Sequence, residues 1–107
     1  MIIEYIRYRI PPEQATDFAA AYARAVPVLE ADEHCLGYEV AQGMEEPANW
    51  VVRISWDSLE GHERGFRTAP HFRDFFAAVR PYFGAIQEMK HYRVQQGAGT
   101  TASGGVP

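Results

Sequence analysis

The stretch from Trp56 to Phe76, W-D-S-L-E-G-H-E-R-G-F-R-T-A-P-H-F-R-D-F-F, gathers His62, Arg67 and His71 beside aromatic residues. A neutral imidazole at His62 can take a phenolic or enolic proton near neutral pH. The guanidinium of Arg67 offers a fixed fork of donors to a developing oxyanion. Together they suit proton abstraction from an acidic organic ligand. Each also has a structural alternative: a solvated His62 beside Glu60 and Glu63, or an Arg67 paired at the surface with Glu63 or Asp74. His71 stands where it shapes a helix entry. His91 and Tyr92 close the last strand and line either a pocket edge or a subunit seam, and His34 falls in a turn with no role assigned.

These groups need a scaffold, which the hydropathy pattern outlines. Ile2, Ile6, Tyr8 and Ile10 alternate with Tyr5, Arg7 and Arg9, predicting a strand over residues 2–10 with both faces occupied. Pro11 and Pro12 end it. Phe18, Tyr22, Val26 and Leu29 recur near helical spacing, and Pro27 removes one backbone hydrogen bond, so a kink or tightening is expected between Ala23 and Pro27. Residues 36–44 and 50–56 read as a hairpin joined by Glu45-Glu46-Pro47-Ala48-Asn49. Trp50, Val52, Ile54 and Trp56 share the face that meets the helices, while Val51, Arg53 and Ser55 look into a barrel or toward a partner subunit. Ser58 is the expected N-cap of a short helix. Thr68 and Pro70 read as the start of another, whose aromatic face carries Phe72, Phe75, Phe76, Val79 and Phe83. Residues 86–94 supply a fourth strand. One domain over 1–94 is expected, followed by a mobile tail, 95–107, with almost no large apolar side chain.

A 107-residue domain buries about 65% of its unfolded surface, so dimerisation adds useful burial. The face of Val51 and Arg53, and Met89 and His91 on the last strand, predict a homodimer because such surface is usually covered. A net charge of −4 lacks the concentrated Lys and Arg that nucleic acid or an anionic membrane would require. Cys35 is the only cysteine, which excludes an internal disulfide and suits a reducing compartment. The opening Met1-Ile2-Ile3-Glu4-Tyr5 lacks secretory features, and no run approaches the ~20 apolar residues of a membrane span, so a soluble, cytoplasmic protein is expected. His34, His62, His71 and His91 show no close ligand pair. A metal site would have to be assembled from distant segments, and none is expected. No G-x-G-x-x-G or phosphate-cradling loop supports a flavin or nicotinamide cofactor.

The Trp56-Asp57-Ser58-Leu59-Glu60 strand end and the Thr68-Ala69-Pro70-His71-Phe72 helix start resemble the antibiotic biosynthesis monooxygenase family, the second with one extra residue between Thr and Pro. The resemblance extends over residues 2–94, through Cys35-Leu36-Gly37-Tyr38 and the closing His91-Tyr92. It implies an α+β, ferredoxin-like βαββαβ unit whose antiparallel sheet pairs with a second copy in a dimeric α+β barrel. It places Trp56 as a pocket residue whose indole N–H donates to a substrate or peroxide oxygen, the alternative being a core Trp bonded to a backbone carbonyl. Actinorhodin-type members carry a pocket tyrosine at the position of His62. They also carry an Asn four residues before the Trp, where this chain has Val52. The heme-degrading branch needs an iron-ligating histidine where this chain has Phe76, so heme chemistry is disfavoured.

The expected activity is cofactor-independent oxygenation of an electron-rich aromatic, such as a hydroxyanthrone or quinol, with O2. His62 would be the base, Arg67 the anion stabiliser and Trp56 a donor to the oxygenated intermediate. Phe66, Phe72 and Phe76 would wall the pocket, with His71, His91 and Tyr92 as further substrate contacts. An isomerase or cyclase working through an enolate, and a ligand-binding dimer without turnover, are the alternatives.

Overall fold

The computed structural model describes residues 1–97, so the tail expected over 95–107 lies outside the described residues from position 98 onward. Four strands, β1 (Ile2–Arg9), β2 (Cys35–Gln42), β3 (Asn49–Trp56) and β4 (Ile86–Arg93), pair antiparallel in the order β2-β3-β1-β4. Helix α1 (Ala15–Ala31) joins β1 to β2, and α2 (Phe72–Val79) lies between β3 and β4. This is the ferredoxin-like α+β arrangement, with the first and last strands of the chain side by side in the sheet.

Strand alternation decides what faces the helices. On β1, Glu4, Ile6 and Tyr8 point inward with Ile10 beyond the strand end, and all four are buried. On β3 the inward set is Trp50, Val52, Ile54 and Trp56, again all buried. Phe18, Tyr22, Ala25 and Leu29 of α1 pack on these residues, as do Phe75 and Val79 of α2. Phe18 makes edge contacts to Tyr8, Trp50 and Tyr82 with ring centroids about 5 Å apart, a geometry aromatic quadrupoles favour. Pro27 does not end α1, which continues to Ala31.

Four local features differ from expectation. The segment after Ser58 is a π-helix, Gly61–Phe66, with Arg67 N–H donating to His62 C=O at 3.2 Å. Ser58 does cap its start, its Oγ accepting from Gly61 N–H at 2.9 Å. Thr68 does not cap α2: its hydroxyl donates back to the carbonyls of Arg64 and Gly65 and closes the preceding turn. The helix proper begins at Phe72 with His71 as N-cap, and it ends at Val79, so Phe83 belongs to the following 3₁₀ segment Arg80–Ala85.

The last strand corrects the dimer argument. Register pairs His91 with Glu4 and Met89 with Ile6, which puts both on the helix side of the sheet rather than on its outer face. A bulge at Gln87 shifts register between Arg7 and Tyr8, so that Ile86 also reaches the helix side. Tyr92 points outward, edge-on to Tyr5 at 6.2 Å, and is half exposed.

His34, to which no role was assigned, seats the π-helix. Its Nδ1 meets Asp57 Oδ2 at 2.9 Å, and its ring fills the space beside Gly61 and Gly65. A Cβ on Gly65 would collide with that ring, approaching Nε2 at 2.6 Å. Gly65→Ala should therefore destabilise by about 1–3 kcal/mol as overpacking. In urea unfolding the penalty should shrink in a His34→Ala background, where no ring remains to collide, and an undiminished penalty there would place the clash elsewhere.

Candidate active site

A cavity of about 770 Å³ lies between the sheet and the α2 side, walled by Phe66, Phe72, Phe75, Phe76, Val79, Phe83, Ile86 and Met89. Its polar groups form two poles. Glu4, His62 and Arg67 stand at one, and Tyr8 and Tyr22 at the other. The two tyrosine hydroxyls bond to each other at 2.6 Å. Burial pushes the Tyr8 phenol up to about 12 and raises Tyr22 as well, so both stay neutral donors at physiological pH.

Glu4 is the centre of the first pole. It is 3% exposed on a central strand, and its Oε1 accepts from Trp56 Nε1–H at 3.1 Å. His62, also 3% exposed, stacks on the Trp56 indole with centroids 4.6 Å apart and planes 12° apart. That stack brings His62 Nε2 to 3.3 Å from the same Glu4 oxygen. The opposite ring nitrogen, His62 Nδ1, lies 3.0 Å from His91 Nε2. Glu4, His62 and His91 thus form a row, each linked to the next.

Burial decides the protonation of this row. Desolvation pushes Glu4 up, against the lowering effects of the Trp56 hydrogen bond and the Arg67 charge. Desolvation brings His62 down to about 4, with further lowering from the Arg67 and His91 charges. Burial thus opposes charge on both partners, and the 3.3 Å contact joins two groups each pushed toward its neutral form.

The π-helix explains how His62 and Arg67 reach one pocket. Residues five apart on an α-helix point about 140° apart, whereas a π turn closes its hydrogen bond over five residues and stacks them. Arg67, itself exposed, lines the cavity and makes no ion pair among the described residues.

Of the other residues singled out from sequence, Phe66, Phe72 and Phe76 line the cavity. His91 reaches it only through His62. Trp56 is fully buried and outside the cavity lining, and its N–H is taken by Glu4, neither a ligand nor a backbone carbonyl. His71 is turned away: its Nε2 meets Asp32 Oδ2 at 2.6 Å, because that buried carboxylate at the end of α1 needs a partner. Tyr92 is on the other face of the sheet, since neighbouring strand residues cannot share a side.

Glu4, Tyr8 and Tyr22 were not singled out as site residues. For Glu4 the signal was available: it has the same strand parity as Ile6 and Tyr8, where a carboxylate must be buried.

The donor atoms of Glu4, His62 and His91 lie within 4.8 Å of one another, gathered from distant segments. Each residue contributes one such atom, so the trio has the spacing of a three-ligand metal site as well as that of a row.

An antiparallel sheet packed against two helices, with an apolar cavity and the buried Glu4–His62 pair at its end, defines an α+β protein of ferredoxin-like fold. Residues 1–78 match the antibiotic biosynthesis monooxygenase family, and the chain belongs to it. Uncharacterized protein YczJ of Bacillus subtilis is 20% identical over 93 residues, covering 87% of this chain and 98% of its own. A Bordetella bronchiseptica structure bearing the family's name superposes with TM-score 0.75 at 22% identity, covering 89% and 97% of the two chains. SnoaB, a cofactor-independent oxygenase from Streptomyces nogalater, superposes with TM-score 0.73 at 12% identity, covering 91% and 95%. At such identities the structural likeness is one of fold.

The folded His62 value lies below the unfolded one, so the unfolded chain binds more protons between them. Stability attached to neutral His62 is complete above pH 6.5 and is lost as pH falls toward about 4. Glu4 acts in the opposite sense, contributing most below 4.5 and less as pH rises through its raised value. His62→Phe keeps an aromatic ring against Trp56 and removes the first effect. Between pH 6.5 and 4 the wild type should lose roughly 3 kcal/mol relative to this variant in urea unfolding, and parallel profiles would show that His62 is not held neutral.

Proposed function

We propose that this protein is a cofactor-independent monooxygenase that oxidises an electron-rich, acidic aromatic such as a hydroxyanthrone or quinol with O2. The observation that supports this is the buried Glu4–His62 pair opening onto a cavity walled by phenylalanines. An apolar wall excludes water from a planar ligand, and the polar pole takes its proton.

Both His62 nitrogens are engaged, whereas Glu4 Oε2 makes no hydrogen bond among the described residues. Glu4 is therefore the group that meets the ligand proton, with His62 behind it. Trp56 orients Glu4, and Arg67 stabilises the ligand anion as it forms. The anion supplies the reducing power: it passes one electron to O2, the two radicals combine to a peroxide, and loss of water leaves a quinone. Tyr8 and Tyr22 offer a neutral hydroxyl to an oxygen at the far end of the ligand. Val52, fully buried, offers no polar contact, which favours an enolate isomerase as the second reading.

Oxygen uptake with a panel of anthrones and quinols tests the reading. Turnover should require O2, and Glu4→Gln and His62→Ala should each lower kcat/KM by ~10² or more, as loss of a positioned base does. Turnover that persists without O2 would support the isomerase, and ligand binding without product would support a binding role. The outer face, with Tyr5, Val51 and Tyr92, is the surface on which a second copy would complete a barrel. Light scattering at micromolar concentration should then give twice the monomer mass, and a monomer would remove the barrel.

A further inference from the structure

We propose that Glu4, His62 and His91 form a proton-relay chain that carries the ligand's proton from the cavity to solvent, with His91 as its exit. This rests on the reading of the site as one that deprotonates its ligand. Two contacts make the row. Glu4 lines the cavity with its Oε1 3.3 Å from His62 Nε2, and His62 Nδ1 is hydrogen-bonded to His91 Nε2 at 3.0 Å. His91 sits on the edge strand β4 and is exposed, whereas Glu4 and His62 are sealed. Glu4 lines the cavity and His91 is exposed, so the row joins the ligand's site to solvent.

Transfer along the row keeps every group neutral at its end. With Glu4 as the acid, protonated on Oε1, the ligand's proton moves to Oε2 while the Oε1 proton passes to His62 Nε2. The His62 Nδ1 proton passes to His91 Nε2, and the proton on His91 Nδ1 passes to water. The broken bond's electron pair stays on the ligand as its anion, and one proton is delivered to solvent. Return is the reverse run: a proton from water enters at His91 Nδ1, protons shift through His62 to Glu4 Oε1, and the Oε2 proton goes to the peroxide, which then loses water. Burial disfavours charge on both Glu4 and His62, which suits a starting state in which each is neutral.

Two variants separate relay from scaffolding. His91→Gln retains a side chain that hydrogen-bonds to His62 Nδ1 but cannot pass a proton on, and His91→Ala opens a space that imidazole from the buffer can enter. Both should lower kcat at least tenfold with KM little changed, and added imidazole should restore the Ala variant in a concentration-dependent way. Wild-type kcat in His91→Gln, or no rescue of the Ala variant, would overturn the relay. A second measurement needs no substrate. In ¹⁵N-labelled wild-type protein a scalar coupling should cross the His62–His91 hydrogen bond, and exchange of the His62 ring proton with water should slow at least tenfold in His91→Gln. Unchanged exchange would overturn the relay whatever the activity. Slowed exchange with no turnover of any aromatic would leave the chain standing and sink the oxygenase reading instead.

Discussion

A carboxyl group on a central strand, shut between a sheet and two helices, is the constraint around which this molecule is arranged. Glu4 is too costly to bury alone, and its neighbours are those that lower the cost. Trp56 donates to it, His62 stacks where it can share its proton, and the Arg67 charge lies close enough to favour the anion. Several kcal/mol of desolvation are at stake for a buried carboxylate, comparable with the whole net stability of a small domain. The candidate site and the fold are therefore not separable: the groups proposed for the chemistry are also those that make Glu4 tolerable.

The π turn is the second element of the arrangement. A single extra residue in a helical turn is a local defect, and it survives here because Gly61 and Gly65 let the segment settle on the His34 ring while Ser58 caps its start. In return it turns His62 and Arg67 to one side. An α-helical turn of the same residues would have aimed one of them at solvent.

Much of this was readable in the residues. The inward set Trp50, Val52, Ile54 and Trp56 follows from strand alternation, and Phe66, Phe72 and Phe76 follow from aromatic spacing near a helix start. What escaped reading has two physical origins. Glu4 and Tyr92 were decided by parity, a rule that applies to every residue of a strand but was applied only to the apolar ones. His34, His71 and His91 were decided by partners remote in sequence, Asp57, Asp32 and His62. Spacing along a chain carries no information about such pairings. The π turn is a third case, since its residues read equally well as an ordinary helix.

The bulge at Gln87 bears on how faithfully the molecule is made. Pairing of β1 with β4 joins segments from near the two ends of the described chain, so it is among the slowest contacts to form and the easiest to form out of step. A slip by one residue would exchange His91 for Tyr92 opposite Glu4 and turn the whole strand inside out. Because the bulge changes parity partway along, no regular, bulge-free pairing can place Ile86, Met89 and His91 all inward. The irregular residue thus acts as a register mark, penalising regular pairings that would turn part of the strand outward.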